Sequence, residues 1–174
     1  MLIKNTAIPV KKGILYEKSC YFWSCRTYRK VHYTQNAKTE GIELSAFVRN
    51  PQKFSDMDMM GVNIIQGDAL NEEDVLLLRA MEGQDILFCS LEGYVLTMAK
   101  NIVAALDKTT VKRIIWITGM GIHHEITGVR GMTLNRYAKQ RPEYIEAADV
   151  IAASKAVTTL LRCPGIQNGD NEKY

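Results

Sequence analysis

Five short apolar runs recur between Gly41 and Gly165, and each ends at a residue that stops a strand. Glu43–Val48 stops at Arg49-Asn50-Pro51, Val62–Ile65 at Gly67-Asp68, and Asp85–Cys89 at a polar turn. Arg113–Thr118 is followed by Gly119, and Thr158–Leu161 by Cys163-Pro164-Gly165. The intervening stretches carry helical spacing. The first, Glu73–Met81, starts behind an Asn71 N-cap with Glu72, Glu73 and Asp74 in its first turn, and ends at Gly83. A second helix is expected over Val95–Lys108, with Met98, Ile102, Ala105 and Leu106 on one side, and a third over Arg136–Ser154, broken or kinked at Pro142. Strands that are apolar on both faces need cover on both sides. The predicted fold class is therefore α/β, a doubly wound parallel sheet. Ligands of such sheets bind beyond the carboxyl ends of the strands. The residues standing there are Arg49, Gly67-Asp68, Ser90-Leu91-Glu92-Gly93 and Thr118-Gly119.

The segments VRNPQKF, GVNIIQGDALN, AKNIVAALDKTTVKRIIWITGMGI and TLLRCPGI together resemble the NmrA-like, atypical short-chain dehydrogenase/reductases, over roughly Gly41 to Ile166. That resemblance implies a Rossmann-like fold and an NAD(P)H cofactor. It places Arg49 beside the adenosine ribose, where it meets a 2′-phosphate, and Asp68 against the adenine with Ala69 beside it. It also implies that Ser90, Leu91 and Gly93 line the ribose and nicotinamide, with Thr118 ending the next strand. Arg49 has Lys53 nearby and no acid at its strand end to hold a free ribose diol, so NADPH is expected over NADH.

A dinucleotide site also needs a glycine-rich turn after its first strand, because only glycine lets the backbone approach the pyrophosphate. No such turn exists: the chain has no glycine between Gly13 and Gly41. Composition marks the same stretch. Residues 1–40 hold eight Lys/Arg against Glu17 and Glu40, in a chain whose net charge is only +3, and six of its aromatic residues. We read this segment as out of frame. Moving the codons one base downstream forces Trp23 to Gly, since its codon ends in GG, and allows Gly at Arg26 and Arg29. Over Tyr16–Glu40 the shifted frame admits MKSLVIFGAAGHIGKYITHKMLKQK: a start Met, a strand, G-x-x-G-x-x-G and a helix. The expected organisation is an aberrant segment 1–40 followed by an NAD(P)-binding domain over 41–174 that is truncated at its C-terminus. As written, residues 1–40 should lack a clean strand, turn and helix, leaving the central sheet with an unpaired edge.

Other readings carry less. Basic residues interleaved with Tyr and Trp suit a nucleic-acid patch, but no recognised module accompanies them. Cys20, Cys25 and His32 match no usual zinc spacing, and His123-His124-Glu125 reads as a solvated loop, so no metal is expected. The Tyr-x-x-x-Lys pair of classical short-chain enzymes is absent, because Tyr137 is followed at that spacing by Arg141 and Tyr144 by Ala148. Thr118 can orient a carbonyl or simply bond backbone. The catalytic residues and the oligomeric state are unknown from sequence. Cys89 and Cys163 read as buried thiols, and Tyr94 and Tyr144 as core or pocket wall. With no long apolar run and no secretory leader, a cytoplasmic protein is expected, without a membrane or nucleic-acid partner. Three functions follow: an oxidoreductase acting on a small unidentified substrate, a non-catalytic NAD(P)-binding regulator of NmrA type, or an inactive frameshifted product.

Overall fold

The computed structural model describes residues 18–23, 42–54, 61–71 and 75–163. Its centre is a six-stranded sheet in the order β3-β2-β1-β4-β5-β6. The strands are β1 (Lys18–Trp23), β2 (Glu43–Val48), β3 (Val62–Gln66), β4 (Ile86–Ser90), β5 (Arg113–Gly119) and β6 (Val157–Cys163), and every neighbouring pair is parallel. This is the strand order of a doubly wound dinucleotide fold, with its switch point between β1 and β4.

One expectation is overturned at once. The first strand is not lost. Lys18–Trp23 occupies the middle of the sheet, with Trp23 opposite Val48 on one side and Ser90 on the other. The central strands therefore have no unpaired edge there. The reason is that a ladder asks for backbone groups and β-compatible residues, and Cys-Tyr-Phe-Trp supplies both as readily as the shifted-frame Val-Ile-Phe. The turn and helix expected to fail after it, over residues 24–40, lie outside the described residues. The same is true of Cys25, His32, the acidic triplet 72–74 and residues 164–174.

Alternation explains why the strands looked apolar throughout. In β4, Leu87 and Cys89 join the core on one face, while Ile86 and Phe88 join that on the other. In β5, Ile114 and Trp116 face the first core, and Ile115 and Ile117 the second. Three helices pack on the first face: α1 (Val75–Met81), α2 (Val95–Leu106) and α4 (Pro142–Ala152). Buried Met98, Ala99, Ile102, Ala105 and Leu106 recur along α2 at helical spacing, as expected. Ile102 and Leu106 are fully enclosed, and each such side chain contributes about 1.5–3 kcal/mol by leaving water. β3 is an edge strand and wetter, with Ile64 40% exposed.

The single helix expected over Arg136–Ser154 is instead two. α3 (Gly128–Lys139) ends before Arg141, whose φ of −136° is not helical, and α4 begins at Pro142. Pro142 pushes the preceding residue out of the helical region and is favourable as a first helical residue. The early start of α3 is hidden by its glycines. Gly131 is there because a Cβ would collide with the carbonyl oxygen of Ile126. Among the described residues no helix is long and apolar enough to cross a membrane.

Candidate functional site

The residues that stood at strand ends in the sequence all lie along the carboxyl edge of the sheet. At the β2–β3 end, the N–H of Gly67 donates to Val48 O at 3.0 Å, so the chain leaving β3 stays against β2. Oδ1 of Asp68 accepts the N–H of Leu70 at 3.0 Å, and Asp68 O accepts the N–H of Asn71 at 3.1 Å. That turn aims the other carboxylate oxygen at Arg49, 4.0 Å from Nη1. Both side chains are about half exposed (53% and 42%), so the pair is loose and worth under about 1 kcal/mol. It leaves Arg49 available to a stronger anion.

Ala69 is held from the other direction. Asn101 on α2 is 7% exposed, and its Nδ2 donates to Ala69 O at 3.0 Å. Sequence reasoning missed Asn101, because a polar residue inside a helix carries no signal that its partner is a distant turn. A shallow, open recess lies here, lined by Phe47, Ala69, Leu91, Met98 and the Arg49–Asp68 pair. Its apolar lining beside a charged rim suits a flat aromatic ring attached to an anionic group.

Ser90, Gly93 and Thr118 are not part of that recess. Ser90 closes β4 and is 2% exposed. Gly93 adopts φ +96°, a conformation that disfavours any side chain, and its carbonyl accepts the N–H of Val95 at the start of α2. Thr118 is 5% exposed, and its Oγ1 has no hydrogen-bond partner among the described residues. A buried hydroxyl left unpaired costs about 1–3 kcal/mol, so this atom is one that a ligand oxygen or amide would satisfy. Arg49, Asp68, Ala69 and Leu91 thus share the recess, while Ser90 ends β4, Gly93 lies in the loop before α2 and Thr118 lies near the end of β5.

Beyond Thr118 the triplet His123-His124-Glu125 is a loop, as expected, but not a freely solvated one. His123 lies between Asp149 of α4 and Arg162 of β6. Glu125 accepts the N–H of Gly121 at 2.6 Å and of His123 at 3.0 Å, with Arg162 Nε 3.9 Å away. Burial pushes its carboxyl up, but the backbone N–H groups of Glu125, Gly121 and His123 and the Arg162 charge outweigh burial and hold it below its ordinary value. Among the described residues no three His, Cys, Asp or Glu side chains are grouped to hold a metal. Arg141 stacks over the Tyr137 ring at 5.0 Å, so the residue at the Lys position of the classical pair covers the ring face. Tyr94 is 75% exposed and belongs to neither core nor recess, whereas Tyr144 packs against the main core. Cys89 and Cys163 are buried free thiols, as expected.

Known structures repeat this architecture. A Rossmann-fold NAD(P)-binding family protein from Shigella flexneri superposes with a TM-score of 0.62 and 29% identity, over 84% of this chain and 67% of that one. A short-chain dehydrogenase/reductase from Veillonella parvula in complex with NADP gives 0.64 and 20%, over 85% and 69%. An NADPH-dependent quinone oxidoreductase from Escherichia coli, complexed with NADPH, gives 0.60 and 24%, over 83% of this chain and 48% of that one. No curated protein matches the chain significantly. The family model described as NAD(P)H-binding matches residues 31–174, and on that match the chain belongs to the NAD(P)H-binding family.

Proposed function

We propose that this protein is an NADPH-dependent oxidoreductase of the atypical, NmrA-like short-chain type, acting on a small molecule in the cytoplasm. The observation that carries the reading is Arg49. It stands at the mouth of the recess in a loose 4.0 Å pair with Asp68, and no acid ends β2 to claim a free ribose diol. When bound, the reduced nicotinamide supplies a hydride. The chain's own part is to hold and orient: Arg49 faces the 2′-phosphate, Asp68 and Ala69 the adenine, and Ser90, Leu91 and Gly93 the ribose and nicotinamide. Thr118 offers its unpaired hydroxyl to a carbonyl oxygen of the acceptor, in a setting from which water is largely excluded. The NADP- and NADPH-bound neighbours support this choice of cofactor.

A second reading has its own observation. The family match begins at residue 31, after the stretch where a phosphate loop belongs, and that stretch contains no glycine. The missing glycines, rather than the match, which itself covers 31–40, favour a chain whose segment 16–40 is out of frame and which, as written, binds dinucleotide poorly and turns nothing over. Losing several charge-assisted hydrogen bonds to the pyrophosphate, at roughly 1.5–3 kcal/mol each, moves a micromolar site past millimolar. A non-catalytic NAD(P)-binding regulator stands between the two readings.

A paired titration of NADPH fluorescence separates them. The chain as given is expected to bind only at about millimolar NADPH, and the same chain carrying the shifted-frame segment at about micromolar. Equal micromolar binding by both would refute the out-of-frame reading. Tight binding without oxidation of NADPH by any carbonyl, quinone or flavin acceptor would make the protein a regulator.

A further inference from the structure

At the β5–β6 end, four polar side chains meet that none of the expected cofactor contacts uses. Nε2 of His123 lies 2.9 Å from Oδ1 of Asp149, and Nδ1 lies 2.7 Å from Nη2 of Arg162. A guanidinium can only donate, so the ring nitrogen facing it must be a bare acceptor. The ring proton then sits on Nε2 and is donated to Asp149. With both nitrogens engaged, His123 has none left to exchange a proton with a ligand, despite standing five residues beyond Thr118 on the ligand-facing edge. It is not a catalytic residue. The same guanidinium faces Glu125, 3.9 Å from Oε1, and Glu125 gathers the N–H groups of Gly121 and His123. Arg162 is also the direct register partner of Thr118 on the neighbouring strand. One side chain thus reaches two points of the loop that leaves β5 after Gly119, the residue next to Thr118.

We propose that Arg162 is a positioning residue for the acceptor side: it locks His123 as the Nε2–H tautomer and, through His123 and Glu125, fixes the loop that follows Thr118. The functional half of this proposal rests on the reductase reading above; the tautomer half does not. Asp149 completes the arrangement by tying the same ring to α4, so the loop is held to two elements at once.

The tautomer is read in long-range proton–nitrogen spectra of the full chain as given, uniformly nitrogen-15 labelled, with His123→Gln identifying the ring among the three histidines. The wild type should show a bare Nδ1 and a protonated Nε2. Arg162→Met should lose that single signature, and Arg162→Lys, which keeps the charge without the planar fork, should restore it only in part. An unchanged His123 signal in Arg162→Met overturns the proposal, whatever the protein turns out to catalyse. The kinetic arm uses the chain with the shifted-frame segment, NADPH and menadione as acceptor. Arg162→Met should lower kcat about 10- to 100-fold, the cost of a misplaced reacting group, with NADPH Kd changed less than about twofold. A parallel loss of NADPH binding would overturn the positioning role. If the wild type oxidises NADPH with neither menadione nor any other carbonyl, quinone or flavin acceptor, the reductase reading fails while the spectra still decide the tautomer lock.

Discussion

At the β2–β3 end of the ligand-facing edge, the recess is tied mainly through main-chain atoms. Gly67 bonds Val48, Leu70 and Asn71 bond Asp68, and Asn101 bonds the Ala69 carbonyl. At the β5–β6 end the loop after Thr118 is tied mainly through side chains, Asp149 to His123 to Arg162 with Glu125 beside them. The first end uses one titratable side chain in these bonds, the Asp68 carboxylate that accepts the Leu70 N–H, whereas at the second the carboxylates of Glu125 and Asp149 and the His123 ring add to main-chain ties such as Met120 N–H to Cys163 O. This division suits a site in which one end grips an invariant cofactor and the other meets the varied part of the chemistry.

The comparison is broken most directly at Arg49. In the chain carrying the shifted-frame segment, Arg49→Ala should remove most of the preference for NADPH, about 10- to 100-fold in the NADPH/NADH affinity ratio, because a charge-assisted contact to phosphate is worth about 1.5–3 kcal/mol. Parallel titrations of the two nucleotides measure it, and an unchanged ratio would remove the cofactor assignment. Next in size is Asn101→Ala. It strands the buried Ala69 carbonyl and should cost about 1–3 kcal/mol in urea unfolding, with weaker nucleotide binding alongside.

The other end should respond to acid instead. Glu125 has a folded pKa below its unfolded value, so its carboxylate contributes stability above the ordinary carboxylate range. That contribution is lost as pH falls through the folded value. Urea midpoints followed from about pH 6 to pH 3 should therefore drop more steeply in the wild type than in Glu125→Gln. Matching slopes would show that the loop does not depend on this charge. The smallest effect is expected from Asp68→Asn, at under about 1 kcal/mol of stability, since its pair with Arg49 is long and exposed to salt.

How much of this was legible depended on how local the cause was. Glu43–Val48 was read with its boundaries intact, because Arg49-Asn50-Pro51 ends the strand on its own. The division into α3 and α4 was only half visible. Pro142 announces a break, but nothing local moves the expected start from Arg136 back to Gly128, where Ile126 presses against Gly131. β1 was misjudged for the opposite reason. The missing glycine loop predicts the loss of the strand before it, yet a slot between two parallel strands accepts any residues that extend well.

The sequence by itself determined the alternation of strands and helices, the parallel sheet, and the row Arg49, Asp68, Ser90 and Thr118 along its carboxyl edge. These follow from side-chain periodicity and from where each short run must stop, and both are properties of a few neighbouring residues. Only the tertiary structure decided that Asn101 would hold Ala69 across 32 residues, that His123 would meet Asp149 across 26, and that Arg162 would reach His123 across 39. Such pairs join groups with no common local pattern. Their partners are chosen by which elements the packed core brings to the same edge; for Asn101 and Ala69 the need of buried polar atoms to be satisfied adds to this, while the other two pairs lie in exposed positions.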